Sequence, residues 1–185
     1  MTVYKRATSY NVYNVMLMLP KEVTDSMNKI NKILNGLCNW HQNSKVAHIS
    51  IKYLGYHKSY SKRDILKLLP EINNISKELL PLKLRMKGIK IHEVPNSDKL
   101  NVFILIEKTK GLQSLHDRIK TGLGSRIDHF TDWEGKHFYP HVTVVNASKS
   151  NIKEIKKRLR NLKIPKKPFV ASRLALHAKK EIIRI

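Results

Sequence analysis

The feature that most constrains the fold is a pair of short, similar segments placed about half a chain length apart. The first is VAHISIKYLGY (46–56) and the second is YPHVTVV (139–145); their histidines are 93 positions apart in a chain of 185 residues. Each histidine is followed by an apolar residue, a hydroxyl residue and another apolar residue. A repeat with so long a period predicts two related lobes rather than a solenoid, with one such strand in each lobe.

Residues two apart in a strand point to the same face. His48 and Ser50 therefore share one face of the first strand, as His141 and Thr143 do on the second. If the two strands face each other across a cleft, two imidazoles and two hydroxyls converge. Histidines with a pKa near ~6.5 supply a neutral base and a protonated acid together at neutral pH, while hydroxyls donate to phosphate oxygens. One copy of the pattern is more often a core histidine, so the hypothesis depends on both copies.

These segments resemble the paired H-x-[ST] motifs of the 2H phosphoesterase superfamily, in the branch of 2'-5' RNA ligase-like and cyclic phosphodiesterase proteins. The resemblance includes the early strand VMLMLP (15–20), the LG that closes the first motif, and the proline just before the second histidine. It implies a bilobal fold with a central cleft and a metal-independent reaction at 2',3'-cyclic phosphates or 2'-5' linkages. It also implies that His48 and His141 are catalytic and that Ser50 and Thr143 bind the substrate phosphate.

Three neighbours of the motifs are candidate substrate-binding residues. Lys52 has the same strand parity as His48 and Ser50, so it is predicted either to stabilise charge on phosphorus or to be a solvated lysine. Phe138 and Tyr139 precede the second motif and either stack on a base or pack beneath their loop. Tyr53 and Tyr56 are interpreted as structural. The remaining histidines have no ligand spacing, so no metal and no other cofactor are expected.

Hydrophobic periodicity predicts strands alternating with helices and one hairpin, with no domain break. The predicted strands are 12–19, 46–55, 82–94, 100–109, 139–148 and 169–185, the last as one strand or as two joined at Lys179–Lys180. The predicted helices are 21–37, 61–80 with an interruption at Pro70, 111–123 and 149–162. This order indicates an α+β fold. With the resemblance, the prediction is a single bilobal domain over 1–185, with pseudo-symmetric antiparallel sheets around the cleft and helices outside.

The charge balance predicts a polyanionic partner. Lys and Arg number 36 against 14 Asp and Glu, a net charge of +22, and such a surface attracts phosphates. Half of that charge lies in the last fifth of the chain, which favours contact with an RNA backbone. The single cysteine, Cys38, excludes an internal disulfide. No signal peptide or membrane span is recognisable, so a cytoplasmic monomer without membrane contact is expected.

The favoured hypothesis is an enzyme that hydrolyses phosphodiesters at RNA ends or in oligonucleotides. Two alternatives stay open: a non-catalytic RNA-binding module that uses the same cleft, and a phosphodiesterase of cyclic or 2'-5'-linked signalling nucleotides. Two imidazoles argue against a pure binding module, which has no need of them. The sequence does not determine which histidine is the acid.

Overall fold

The strands pair antiparallel throughout the computed structural model, which describes residues 4–5, 12–129, 137–178 and 181–185. The strands are β1 Tyr4–Lys5, β2 Val12–Met18, β3 Trp40–His41, β4 His48–Tyr56, β5 Leu82–Leu84, β6 Met86–Glu93, β7 Lys99–Ile106, β8 His141–Ser148, β9 Phe169–Ala171, β10 Arg173–Ala178 and β11 Glu181–Arg184. The helices are α1 Lys21–Ile33, α2 Lys62–Leu66, α3 Leu69–Leu79, α4 Lys110–Leu123 and α5 Ile152–Leu159.

Two large sheets and one small sheet organise these strands. The first has the order β1-β11-β10-β2-β4, the second has the order β3-β8-β7-β6, and β5 pairs with β9. One buried apolar cluster contains residues of both large sheets and of the helices α1 and α4, so the two sheets share a core. The predicted α+β class with antiparallel sheets is therefore confirmed.

The two large sheets contain the same unit, a strand, a helix and a motif strand. In the first, β2 leads through α1, and then through the short strand β3 of the other sheet, to β4; in the second, β7 leads through α4 to β8. The register also matches. Ser50 lies opposite Met16 and Thr143 lies opposite Phe103, and in each case the next residue of the motif strand is bulged out of register. The repeat in the sequence is thus a repeat in the structure down to the position of a β-bulge.

Local chemistry explains most helix limits. Val23, Met27 and Ile30 form the buried stripe of α1. The segment 61–80 is interrupted as predicted, because Pro70 lacks an N–H and is accommodated only in the first turn of the new helix α3. The hydroxyl of Ser61 accepts a hydrogen bond from the backbone N–H of Asp64 and caps α2.

Several boundaries differ from prediction. The segment 82–94 is two strands in different sheets, and the segment 169–185 is three strands rather than one or two. The predicted turn at Lys179–Lys180 lies outside the described residues, although β10 and β11 on either side of it pair antiparallel. The short strands β1 and β3 were not predicted, because a two-residue strand has no readable periodicity. No helix in the described part of the chain is long and apolar enough to cross a membrane.

Candidate active site

The two motifs meet at one cleft. His48 and Ser50 of β4 line it together with Thr143 of β8. His141, two residues before Thr143 and half-buried, lies on the same face of that strand. The other lining residues come from neighbouring strands and loops: Val12, Asn14, Gln42, Tyr53 and His177. The cleft is small, with a volume of about 30 Å³. Such a volume accommodates two or three waters, at roughly 10–15 Å³ each.

Both histidines are held by the same backbone contact. Nδ1 of His48 lies 2.8 Å from the carbonyl oxygen of Val46, and Nδ1 of His141 lies 2.8 Å from the carbonyl oxygen of Tyr139. Since a carbonyl oxygen only accepts, Nδ1 carries the hydrogen in each ring. Nε2 is therefore the nitrogen at which each imidazole gains or loses a proton. The two rings are alike in tautomer and in the way they are fixed.

The hydroxyl of Ser50 is oriented by two donors. Asn14 Nδ2 donates to Ser50 Oγ at 2.8 Å, and the hydroxyl of Tyr53 donates to the same oxygen at 3.4 Å. A serine oxygen has two lone pairs, so these bonds occupy its accepting capacity. The hydroxyl hydrogen of Ser50 is left to donate to another group. This arrangement suits a negatively charged oxygen in the cleft.

The environment of His141 favours the neutral ring. Burial lowers its pKa below the ordinary value of 6.5, and the positive charges of His92 and Lys90 lower it further. The hydrogen bond to the carbonyl of Tyr139 works in the opposite direction but is outweighed. At neutral pH this imidazole is unprotonated, as a general base requires.

A match to a family model, which covers the part of the chain that contains both motifs, identifies the family. The family model of the 2'-5' RNA ligase superfamily matches residues 25–181, which include both motif strands. The chain belongs to the 2'-5' RNA ligase superfamily. This confirms the resemblance to 2H phosphoesterases read from the motifs. No curated protein matches the chain in sequence.

Solved structures share the fold of this superfamily member at low identity. TT0787 of Thermus thermophilus is 18% identical, with a TM-score of 0.61 and 94% of each chain covered. Escherichia coli LigT complexed with 3'-AMP is 10% identical, with a TM-score of 0.55 and coverage of 96% of this chain and 95% of that one. Kluyveromyces marxianus Usb1 with uridine monophosphate is 10% identical, with a TM-score of 0.57 and coverage of 95% and 98%.

Two of the candidate binding residues of this superfamily member lie in the interior. After Ser50 the bulge shifts the strand by one residue, so Lys52 lies opposite Val15 and is only 1% exposed. Its Nζ donates to the carbonyl oxygen of Asp128 at 2.8 Å. The suggestion that Lys52 reaches the cleft is therefore wrong. Phe138 is also buried and stacks on His116 with ring centroids 4.4 Å apart, which excludes a base-stacking role.

Tyr139 remains available to a ligand. Its side chain is 43% exposed, its ring lies 6.1 Å from that of His141, and Nζ of Lys90 lies 4.8 Å above it. An exposed aromatic ring beside the site is suited to stacking on a base. The role of Tyr139 stays a prediction.

Sequence reasoning missed the residues that other elements bring to the cleft. The bulge gives Tyr53 the cleft-facing position expected for Lys52, and opposite it lies Asn14. Asn14 is the one polar residue inside the apolar run VYNVMLML (12–19), and that signal was available in the sequence. Gln42 and His177 had no such signal, because their strands and loops join the cleft only through the tertiary fold.

No group of three or more His, Cys, Asp or Glu side chains among the described residues is placed to hold a metal ion. Phe103 stacks on His92 with ring centroids 5.6 Å apart and makes a tilted contact with His141, with ring centroids 4.1 Å apart. The expectation of a metal-independent reaction stays a prediction.

The electrostatic account of His141 can be tested by removing its positive neighbours. In the variant Lys90→Gln/His92→Gln we expect the pKa of His141 to rise, because fewer positive charges oppose protonation of the ring. NMR titration of the His141 ring protons measures this directly. The matched control is Lys77→Gln, which removes an exposed charge on α3. An unchanged or lower pKa in the double variant, with the control unchanged, contradicts the account.

Proposed function

We propose that the protein is a metal-independent phosphodiesterase that hydrolyses 2',3'-cyclic phosphates or 2'-5' linkages at RNA ends or in oligonucleotides. The observation that carries the proposal is the matched pair of histidines. Each has Nδ1 fixed by a backbone carbonyl, and each shares a strand face with a hydroxyl residue at one cleft. Two imidazoles that each exchange a proton at Nε2 can move two protons in one reaction, one ring as base and the other as acid.

In the proposed hydrolysis His141 is the base and His48 is the acid. Nε2 of His141 takes a proton from water, and the water oxygen forms a bond to phosphorus. The bond between phosphorus and one ribose oxygen breaks, and Nε2 of protonated His48 gives that oxygen a proton. The lowered pKa of His141 supports this assignment, because a neutral imidazole accepts a proton at neutral pH. On the acidic side, activity is expected to persist below the ordinary histidine pKa of 6.5.

Ser50 and Thr143 are the proposed ligands of the phosphate oxygens. Both line the cleft, one from each motif strand, and the volume between them suits a group of phosphate size. The bonds from Asn14 and Tyr53 make Ser50 a donor before substrate arrives. A donor already in position stabilises the charge that develops on the phosphate oxygens in the transition state.

RNA is favoured as the source of the phosphodiester by the surface charge. The helix α5 exposes Lys153, Lys156 and Lys157 while Ile155 and Leu159 are buried, and Arg160 at its C-cap is exposed. Exposed cations attract a polyanion in a salt-dependent way. Two structural neighbours contain nucleotides, 3'-AMP in LigT and uridine monophosphate in Usb1, which agrees with a nucleotide-type ligand.

The deciding assay is turnover of a nucleoside 2',3'-cyclic phosphate in EDTA by the intact protein. We expect turnover with a bell-shaped pH profile that chelation does not change. Turnover of cyclic or 2'-5'-linked signalling nucleotides alone would favour the signalling alternative. No turnover of any of these substrates, combined with salt-sensitive RNA binding, would favour the binding module and reject the enzyme.

The positioning role of Asn14 is tested by a double-mutant cycle with Ser50. We expect Asn14→Leu to lower kcat about fivefold, because the variant loses a hydrogen bond worth about 1 kcal/mol that orients the hydroxyl of Ser50. In a Ser50→Ala background the same change should have little further effect, since the group that it orients is gone. Equal losses in both backgrounds would assign Asn14 a merely structural role.

A further inference from the structure

A buried histidine outside both motifs, His116, contacts the segments that carry them. It lies on α4 (Lys110–Leu123), the helix of the second repeated unit, and its side chain is 1% exposed. Its Nδ1 lies 2.7 Å from the carbonyl oxygen of Ile51, in the motif strand β4 of the first unit. Its ring stacks on Phe138, just before the motif strand β8, with centroids 4.4 Å apart and planes 11° apart. One side chain thus connects the two halves of the proposed site.

Ile51 is the residue that the bulge of β4 leaves unpaired. Its neighbours Ser50 and Lys52 both lie opposite residues of β2, whereas no residue of β2 lies opposite Ile51. A bulged residue stands outside the regular ladder, and a buried carbonyl without a donor is costly. Because a carbonyl oxygen only accepts, Nδ1 of His116 carries the hydrogen and supplies a donor. The bond therefore stabilises the bulge itself.

The bulge of the other half is held in a different way. Its unpaired residue is Val144, and the carbonyl oxygen of Val144 accepts a hydrogen bond from the backbone N–H of Gln42 at 2.7 Å. A backbone donor is present with any side chain except proline at that position. The bond to Ile51 instead depends on an imidazole, so a substitution of that one side chain removes it.

The bulge at Ile51 sets the positions of two cleft side chains. Ser50 precedes the bulge and Tyr53 follows it, and both line the cleft. They are three positions apart, so in an unbroken strand they would point to opposite faces. The hydroxyl of Tyr53 donates to Ser50 Oγ at 3.4 Å on the face that they share. Loss of the bulge would turn Tyr53 away and remove one of the donors that orient Ser50.

The stack on Phe138 acts on the other motif. Phe138 is 5% exposed, and the next residue is Tyr139. The carbonyl oxygen of Tyr139 accepts the hydrogen bond from Nδ1 of His141 that fixes the second catalytic ring. Burial and stacking hold Phe138 in place, and they thereby hold the adjacent carbonyl that orients His141.

We propose that His116 is a positioning residue of the catalytic centre. Through the carbonyl of Ile51 it holds the bulge that places Ser50. Through Phe138 it holds the segment that orients His141. The inference rests on the proposed function and adds to it a residue that neither motif contains. Since a misplacement of about 1 Å costs up to about a hundredfold in rate, loss of either contact is expected to lower kcat more than it raises KM.

Two substitutions separate the two contacts. His116→Asn keeps an N–H donor on the γ carbon for Ile51 but loses the ring, and His116→Phe keeps a ring for Phe138 but loses the donor. In the folded variants we expect each to lower kcat for a nucleoside 2',3'-cyclic phosphate about tenfold, with KM within about threefold of the wild type. In a Ser50→Ala background, His116→Phe should have little further effect and His116→Asn should keep its effect.

The matched control is Ile72→Val, which removes one methylene from the buried face of α3. It should lower the thermal transition through packing alone and leave kcat unchanged. The proposal is overturned if kcat of either folded His116 variant lies within about twofold of this control, or if His116→Phe causes equal losses in both backgrounds. If one of the two variants does not fold, the other is decisive.

Failure of the proposed function is a different result, namely no turnover by the wild type. In that case, the binding of inorganic phosphate is followed through the backbone amide NMR signals of Ser50 and Thr143. Weaker phosphate binding in both His116 variants than in Ile72→Val upholds the positioning role. Equal binding in these variants and the control rejects it.

Discussion

Replacing either His48 or His141 with alanine is expected to lower kcat for a nucleoside 2',3'-cyclic phosphate by about a thousandfold or more. Each imidazole is assigned one of the two proton transfers, and each is fixed through Nδ1 by a backbone carbonyl. Because the two act in one step, the double variant should be little worse than either single variant. Initial rates over a pH series, in EDTA, give the effect and show which limb of the profile is lost.

The matched control for this experiment is His41→Gln. Nδ1 of His41 contacts Asn31 of α1 at 3.2 Å, and the residue does not line the cleft. This variant should retain wild-type turnover, and all variants should keep the thermal transition of the wild type. Substantial activity in folded His48→Ala or His141→Ala would reject the two-histidine mechanism, whatever the other residues do.

Replacing Lys52 with alanine is expected to lower the free energy of unfolding by about 3 kcal/mol, because truncating a long buried side chain leaves a cavity. The change also removes the hydrogen bond to the carbonyl of Asp128, in a position that is 1% exposed. For a chain of this size such a loss lowers Tm by about 6–12 °C. Differential scanning fluorimetry or calorimetry measures the shift.

Lys52→Met separates packing from hydrogen bonding. Methionine keeps most of the apolar stem, so the loss should fall to about 1–2 kcal/mol, the cost of a buried carbonyl without its donor. At a temperature where both variants are folded, kcat should stay within about threefold of the wild type. A large fall in kcat without a fall in Tm would return Lys52 to the catalytic site and contradict its buried placement.

The sequence was sufficient for the motifs and their strands, because period-two alternation and the repeat are local signals. It was sufficient for the break at Pro70 for the same reason, since a missing N–H acts within one helical turn. It failed at Lys52. Strand parity assumes an unbroken register, and the bulge after Ser50 depends on how β4 pairs with β2, which the residues of β4 alone do not specify.

The residues that line the cleft show a second reason why part of the site could not be predicted from the sequence. Asn14 and His177 come from β2 and β10 and are far in sequence from both motifs, and Gln42 follows β3. For Phe138 the sequence left two alternatives open, stacking on a base and packing beneath its loop, because its partner His116 belongs to the distant helix α4. Residues whose roles depend on a distant partner are visible only once the sheets are assembled.

The matched bulges have a consequence for the direction of the reaction. The two halves have the same strand register, and their histidines make the same backbone contact. A leaving ribose oxygen would therefore meet similar groups whichever motif it faced, so the repeat alone does not determine which ribose oxygen departs in the proposed reaction. That choice has to come from positions where the halves diverge. On the strand face that carries the motif, the first such position beyond each bulge has Tyr53 opposite Asn14 in one half and Asn146 opposite Asn101 in the other. For the proposed hydrolysis, we therefore expect regiochemistry to depend on the positions where the two halves differ.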